Sequence, residues 1–403
     1  MVRECKAGFA QAVISVHLDT AGVPLELDPE TGTIYSADAQ RSEAGWRIST
    51  SLPPLGSRLY VLPKKAGADA FPRRPRLTPV SLTPLAPASW RVSLSADNVL
   101  VLDRAAFRIG DGEWQDREEI LRIGALVRKA CDTPRHGGKK PGKAAATTAV
   151  ALAYSFEVAQ IPSGAMHLAV ERPELFTIAV NGVPLDMDSE CGWWCDRSLR
   201  KIPFRPSLLR TGLNEVTMTC AYGAGHSGLE TAYLLGNFSV NLKNGMKDAE
   251  IGAPVSTLRC GDWVEQGLPF YSGHVAYLET IHPELKPGER LFVEVPAYRG
   301  VAVRIGVNGR DAGIIAWEPN ELDITDLVGD GPAQLMLEVI GHRRNSHGPL
   351  HNSVLSPTWT GPDQFASTGN AWVDHYQVVA CGLMEPPRLV VKNCCDRVAQ
   401  DRT

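Results

Sequence analysis

Apolar and polar positions alternate with a period of two along much of this chain, which is the signature of half-buried strands. Ala12-Val13-Ile14-Ser15-Val16-His17-Leu18, Arg47-Ile48-Ser49-Thr50-Ser51-Leu52 and Arg58-Leu59-Tyr60-Val61-Leu62 each predict a strand. Asp28-Pro29-Glu30-Thr31-Gly32 predicts a turn, because proline presets φ and glycine tolerates φ > 0. So few strands bury little, so residues 1–75 predict a partial β-sandwich, the remnant of an upstream domain. Residues 76–147 read as a linker. It holds the short strand Asn98-Val99-Leu100-Val101-Leu102-Asp103 and a helix over 113–129, where Trp114, Ile120, Leu121, Ala125 and Leu126 follow helical spacing. A polar, Gly/Lys-rich loop closes it.

From about residue 148 one pattern occurs twice. The first copy, 148–250, runs through Ala153-Tyr154-Ser155-Phe156-Glu157-Val158, then Met166-His167-Leu168-Ala169-Val170, then Phe176-Thr177-Ile178-Ala179-Val180 into Asn181-Gly182. The second, 255–392, runs through His274-Val275-Ala276-Tyr277-Leu278-Glu279, then Arg290-Leu291-Phe292-Val293-Glu294-Val295, then Val301-Ala302-Val303-Arg304-Ile305-Gly306-Val307 into Asn308-Gly309. Asn-Gly is a strong hairpin signal, since both residues adopt positive φ at low cost. Each copy closes on a matching pair of stretches: Lys201-Ile202-Pro203-Phe204 and the run from Gly212, against Glu321-Leu322-Asp323-Ile324-Thr325-Asp326-Leu327 and the run from Gly331. The expected fold class is therefore all-β: tandem β-sandwiches preceded by a partial sandwich and a short helix, with a tail over 393–403.

Composition narrows the function classes. Hydrophobic residues are 44% and charged residues 21%, with 37 glycines and 29 prolines, which suits short strands joined by turns. A net charge of −4 gives no basic surface for nucleic acid. The compact basic stretch 135–143 has the glycine and proline of a solvated loop. No apolar run is long enough to span a bilayer. Met1-Val2-Arg3-Glu4-Cys5-Lys6 lacks the layout of an export signal, which places the chain as written in the cytoplasm, with a lost N-terminus able to carry such a signal. Nine cysteines without C-x2-C pairs predict reduced thiols.

Carbohydrate binding needs aromatic rings for the apolar sugar face and polar groups for its hydroxyls. Trp193 and Trp194 with Asp196 and Arg197 supply both, as do Phe270 and Tyr271 with His274, and Trp317 with Glu318 and Asn320. Paired tryptophans also seal sandwich edges, so packing stands beside binding for that loop. His342, His347 and His351 have the residue type for zinc, but Gly348 and Pro349 between them favour a hydrogen-bonding loop, with His347 and His351 as further sugar contacts. Asp186, Asp188 and Glu190 are close enough in one loop to hold a structural calcium. No other cofactor is expected.

The order of strands, the V-x-V-N-G hairpin, the I-T-D-L stretch and the G-x-N/Q-x-L-x-L-x-V strand resemble the galactose-binding-like jelly-roll domain of the β-galactosidase and β-glucuronidase superfamily. The chain as a whole is similar to the C-terminal region of large bacterial glycoside hydrolases of the α-L-rhamnosidase type. Gly192-Trp193-Trp194-Cys195-Asp196, Tyr233-Leu234-Leu235-Gly236-Asn237-Phe238, Gln266-Gly267-Leu268-Pro269-Phe270-Tyr271-Ser272-Gly273, Asp323-Ile324-Thr325 and Asn345-Ser346-His347-Gly348-Pro349-Leu350-His351 carry the likeness. Trp317-Glu318-Pro319-Asn320 stands where that family more often has a proline pair. The resemblance implies carbohydrate as partner and a catalytic (β/α)8 barrel encoded upstream. A barrel needs ~200 residues or more of alternating strand and helix, and no such region is present. The catalytic residues are thus unassigned. The expected function is a non-catalytic, carbohydrate-associated portion that supports or extends the barrel's substrate cleft. Glycoside hydrolysis with a separately encoded barrel and a protein-interaction module are the alternatives.

Overall fold

The computed structural model describes residues 10–18, 20–54, 56–65, 71–132, 147–355, 361–365 and 367–394. The basic stretch 135–143 and the tail beyond residue 394 lie outside them. Two small three-stranded sheets open the described chain. Ala10–Val16 and Ala39–Ser42 flank Gly45–Leu52, and Ile34–Ser36 and Leu59–Val61 flank Leu25–Leu27. Trp46 and Ile48 are their largest buried side chains. Arg74 ties the second sheet by pairing with Glu26 at 2.9 Å and Asp28 at 3.1 Å.

Two β-sandwiches follow, each with its own core. In the first, one sheet runs in the order Gln115–Glu119, Arg104–Ile109, Thr148–Val158, Gly212–Tyr222, Phe176–Val180, Val183–Pro184. It packs on a five-stranded sheet ordered Trp193–Trp194, Asp196–Phe204, Met166–Glu171, Ala232–Gly236, Asn98–Leu102. Between them lie Val150, Leu152, Tyr154, Leu168, Ile178, Ile202, Val216 and Leu234, nearly all of them fully buried. Inward apolar positions alternate with outward polar ones along Gly212–Tyr222, the pattern that one buried sheet face requires.

The second sandwich repeats this strand order. His274–Ile281, Ala333–Ile340, Ala302–Val307 and Arg310–Ile315 are neighbours in one sheet, as Thr148–Val158, Gly212–Tyr222, Phe176–Val180 and Val183–Pro184 are in the first. Its other sheet runs Glu321–Asp323, Glu289–Glu294, Arg388–Cys394, Leu77–Pro84. Trp90, Trp263, Tyr277, Val303 and Leu337 centre its core.

Both Asn-Gly turns do more than supply positive φ. Asn181 and Asn308 sit at φ 48° and 52°, and Gly182 and Gly309 at 81° and 74°. Asn181 donates through Nδ2 to the Leu208 carbonyl at 2.7 Å and accepts at Oδ1 from the Glu215 amide at 3.0 Å. Asn308 makes the same two bonds, to the Leu327 carbonyl at 3.2 Å and from the Gln334 amide at 2.9 Å. Each asparagine thus clamps its hairpin to a short 3-10 turn and to the adjacent central strand.

Residues 76–147, read from sequence as a linker, supply strands to both sandwiches. Leu77–Pro84 and Trp90–Leu94 join the second, while Asn98–Leu102, Arg104–Ile109 and Gln115–Glu119 join the first. The second sandwich is therefore drawn from both sides of the first along the chain. The helix expected over 113–129 starts later, at Ile120–Ala130. Its expected first turns are instead the strand Gln115–Glu119, paired with Arg104–Ile109. The reason is local: the Glu119 carboxylate accepts from the Arg122 amide at 3.2 Å and so caps the helix at that point. Trp114 is left outside the helix, with Arg108 over its ring.

Candidate functional site

The described residues of 341–355, 361–365 and 367–376, which follow the last central strand of the second sandwich, cross over and pack on the five-stranded sheet of the first. Leu350 and Tyr376 enter the first core, and Phe270 joins them edge-on to Tyr376 at 4.9 Å. The crossing is held by Asp103, which follows the wholly buried run Asn98–Leu102. Asp103 accepts from the Tyr376 hydroxyl at 2.8 Å and from His351 Nε2 at 3.1 Å. The other His351 nitrogen, Nδ1, faces the Val373 carbonyl at 3.1 Å. Both ring nitrogens thus face acceptors, so both must donate, and His351 is an imidazolium paired with a carboxylate. Burial alone disfavours that charged form, but the hydrogen bond to Asp103 and its charge outweigh burial and raise the pKa. Arg104 adds an outer tie to Asp374 at 2.8 Å, and Lys247 a second at 2.7 Å.

Where this strap arches over the sheet it leaves an open pocket of about 370 Å³. Five carboxylates line it: Asp103, Glu119, Glu171, Asp196 and Glu230. Asn352, Gln364, Ser198 and Thr231 add neutral polar groups, and Leu121, Pro349, Leu350 and Phe365 an apolar wall. Trp372 and Tyr233 also line it with their faces already engaged. Trp372 stacks on His351 at 4.7 Å and carries Arg122 over its ring, and Tyr233 stacks on His347 at 5.2 Å. No lysine or arginine is among the described lining residues.

The charges differ in state. Burial, with Asp103 nearby, pushes the Glu119 carboxyl up to about 7. Glu230 is raised by partial burial and then by Glu171 beside it. Asp196 is held low by the Ser198 amide and hydroxyl that it accepts from at 2.8 Å. Burial, aided by Arg343, drives His347 down to about 4, so it is neutral, with Nδ1 against the Ser346 hydroxyl at 2.7 Å. Its Nε2 is buried and has no partner among the described residues. The pocket therefore holds many acceptors, few free donors and an excess of negative charge.

Of the residues singled out from sequence, the structure brings Asp196, His347 and His351 together here. Trp194 lies behind them, packed at 4.9 Å from Tyr233 and 5.0 Å from His347. Trp193 points to solvent with about half its surface exposed, and Arg197 is exposed beside it. The others are elsewhere. Tyr271 is buried in the second core, its hydroxyl donating to the His274 carbonyl at 3.0 Å, so it offers no face to a ligand. His274 is half-buried, with its amide on Ser95. Trp317 donates to Glu30 at 2.7 Å, joining the N-terminal sheets to the second sandwich, while Asn320 donates to Glu318 at 2.9 Å. Glu190 of the Asp186, Asp188, Glu190 loop is paired with Arg200, and Asp186 accepts from the Asp188 amide. Among the described residues no group of three His, Cys, Asp or Glu is arranged to hold a metal ion. Asp103, Glu171 and Glu230 were not found from sequence. The one available signal was a charged residue ending a fully apolar strand, at Asp103.

No family model and no curated protein matches the sequence. Solved structures similar to parts of it include a β-glucuronidase from Facaelibacterium prausnitzii L2-6, at 22% identity over 38% of this chain and 21% of that one, with a TM-score of 0.22. A rhamnosidase from Novosphingobium sp. PP1Y is 15% identical over 68% of this chain and 27% of that one, with a TM-score of 0.25. A GH2 β-galacturonidase from Eisenbergiella tayi is 11% identical over 61% and 37%, with a TM-score of 0.23. The chain spans between 21% and 37% of the length of these three enzymes. The β-sandwich architecture itself stands on the strand order described above.

Proposed function

We propose that this chain is a non-catalytic, carbohydrate-binding portion of a glycoside hydrolase-like protein, and that the pocket lined by Ser346–Asn352, Gln364, Phe365 and Trp372 of the strap receives the sugar. The two sandwiches would be the tandem galactose-binding-like modules suggested by the sequence, working beside a catalytic barrel supplied elsewhere. One observation carries this reading: five carboxylates and two side-chain amides converge on an open pocket with no lysine or arginine among its described lining residues. Ionised carboxylates only accept hydrogen bonds, so the matching ligand is rich in donors, and a sugar presents one on nearly every carbon. Phe365 and the Pro349-Leu350 wall suit the apolar face of a pyranose.

The test is a titration of the full chain with a panel of neutral, acidic and amino oligosaccharides, followed by tryptophan fluorescence, since Trp194 and Trp372 border the pocket. A saturable change is expected for at least one class. Asp196→Asn should weaken it about fivefold or more without shifting the melting temperature, because the asparagine oxygen still accepts from Ser198. A flat response to every saccharide would remove the reading.

A further inference from the structure

In a two-layer sandwich the sheet face turned to the other layer is apolar and the face turned to water is polar. The N-terminal sheet of Ile34–Ser36, Leu25–Leu27 and Leu59–Val61 is built the other way round. Residues directly opposite one another in an antiparallel ladder share a face. Glu26 stands opposite both Tyr35 and Tyr60. That face is turned to the neighbouring N-terminal sheet, where the Tyr60 hydroxyl donates to Thr50 at 2.7 Å. Thr50 lies on the buried face of Gly45–Leu52, with Trp46 and Ile48. Glu26 is buried there, held by Arg74 at 2.9 Å and Arg58 at 3.5 Å.

The outer face is apolar. Leu25 stands opposite Val61, and Leu27 opposite Leu59 and Ile34. Val23 continues the alternation, exposed where Pro24 is buried. Ser36 is the polar member of this face, and its hydroxyl donates to the Phe71 carbonyl at 2.9 Å. Leu59, Val61 and Val23 are 53%, 42% and 50% exposed. Clustered apolar side chains turned to water mark a surface that another molecule covers. None of them lines the pocket under the strap.

The two ends of this face say what covers it. Beyond Leu27 and Leu59 lies the turn Asp28–Gly32. Arg74 holds Asp28 at 3.1 Å and Arg58 is paired with Glu26, while the Glu30 carboxylate accepts from the neutral Trp317 indole and keeps its charge. Beyond Leu25 and Val61 the chain runs into Pro63-Lys64-Lys65, fixed there by the Gly22 amide, which donates to the Pro63 carbonyl at 3.3 Å. Lys64 and Lys65 are exposed and make no ion pair among the described residues. One end is thus acidic and the other basic. Two copies laid face to face are related by a two-fold axis between them. An axis along the strands sets lysines over lysines. An axis across the strands sets Lys64 and Lys65 of each copy over the Glu30 turn of the other. The charge that each end needs is the one the chain carries at its other end, so the face complements itself.

We propose that this chain pairs with a second copy of itself through the outer face of this sheet, with the strands of the two copies antiparallel. Burial of the apolar side chains drives the contact, and the opposite charges at its ends set its direction. The pairing is independent of the carbohydrate reading.

Sedimentation equilibrium of the full chain at low salt, followed from about 1 to 200 μM, tests it. A monomer–dimer equilibrium is expected. Leu59→Asp should weaken it about tenfold or more. Glu30→Lys, and Lys64→Glu with Lys65→Glu, should each weaken it about fivefold, and all three changes together should return it to within about twofold of the parent chain. The three charged positions are exposed, so the circular dichroism of these variants should match the parent's. A monomer across the whole range would overturn the pairing and leave the face to a different protein. A dimer that tolerates Leu59→Asp and both charge changes would overturn the choice of face. A triple variant as weak as its parts would overturn the antiparallel arrangement.

Discussion

The first and second sandwiches share a strand order and an asparagine clamp, yet they spend their charges differently. On the smaller sheet of the second, carboxylates meet cations: Glu321 with Lys392 at 2.5 Å, Asp323 with Arg290 and Glu294 with Arg388. On the corresponding sheet of the first, Asp103 is bound to the strap through His351 and Tyr376, and Glu171 and Glu230 are left facing a pocket. One frame therefore supports two uses of the same kind of surface. Carboxylates paired with cations tie one sheet together, while on the other they line a pocket.

The contrast breaks most severely at Asp103. Asp103→Ala strands a buried imidazolium and a buried hydroxyl, and should cost roughly 3–5 kcal/mol in urea unfolding. The counterpart, Glu321→Ala, should cost less, because the Glu321 side chain is itself about a quarter exposed and Lys392 keeps the Phe292 ring 4.3 Å from its ammonium group. Equal losses would erase the distinction between the two pairs.

A second test uses protons. Glu119, raised to about 7, and His351, raised above the ordinary histidine value, both bind protons more tightly folded than unfolded. Their contributions are complete below the unfolded values, near 4.5 and 6.5, and fade as pH climbs through the folded ones. The melting temperature should therefore fall between pH 5 and 8. Glu119→Gln should flatten the part between about 4.5 and 7, worth up to roughly 3 kcal/mol, and a melting curve with unchanged slope would place the proton elsewhere.

The smallest effect tests what the sandwiches share. Asn181→Ala and Asn308→Ala both force alanine into positive φ, but the Asn181 amide also donates to Asn214 at 2.8 Å in a half-buried setting. Expected losses are about 2 kcal/mol for Asn181→Ala and about 1 kcal/mol for Asn308→Ala by thermal melting. The reverse order would show the clamps to be unlike.

Much of the frame was legible because strand periodicity and Asn-Gly turns are local signals. Ala12 to Val16, Phe176 to Val180 and Ala302 to Val307 needed only their neighbours to be read. The helix start was not, since Ile120, Leu121 and Ala125 fit a helix whichever residue caps it, and the cap depends on where the strand before it finds a partner. The pocket was half legible. His347 and His351 share one loop with several polar residues, whereas Asp103, Glu171 and Glu230 are brought to it from three separate strand ends by pairing across the sheet. Tyr271 looked like a sugar platform beside Phe270, but aromatic composition cannot tell a surface ring from a core one.

The placement of one sandwich inside the sequence of the other also sets an order of events. Trp90, fully buried in the finished second core, emerges from synthesis long before Leu258, its ladder partner, and before Tyr277, which its ring meets edge-on at 5.9 Å. Until those later segments are made, Leu77–Pro84 and Trp90–Leu94 lack the strands they pair with in the finished sheets. Closing a long loop costs less once its interior has condensed, so folding of the first sandwich would shorten the separation that the strands of the second must bridge.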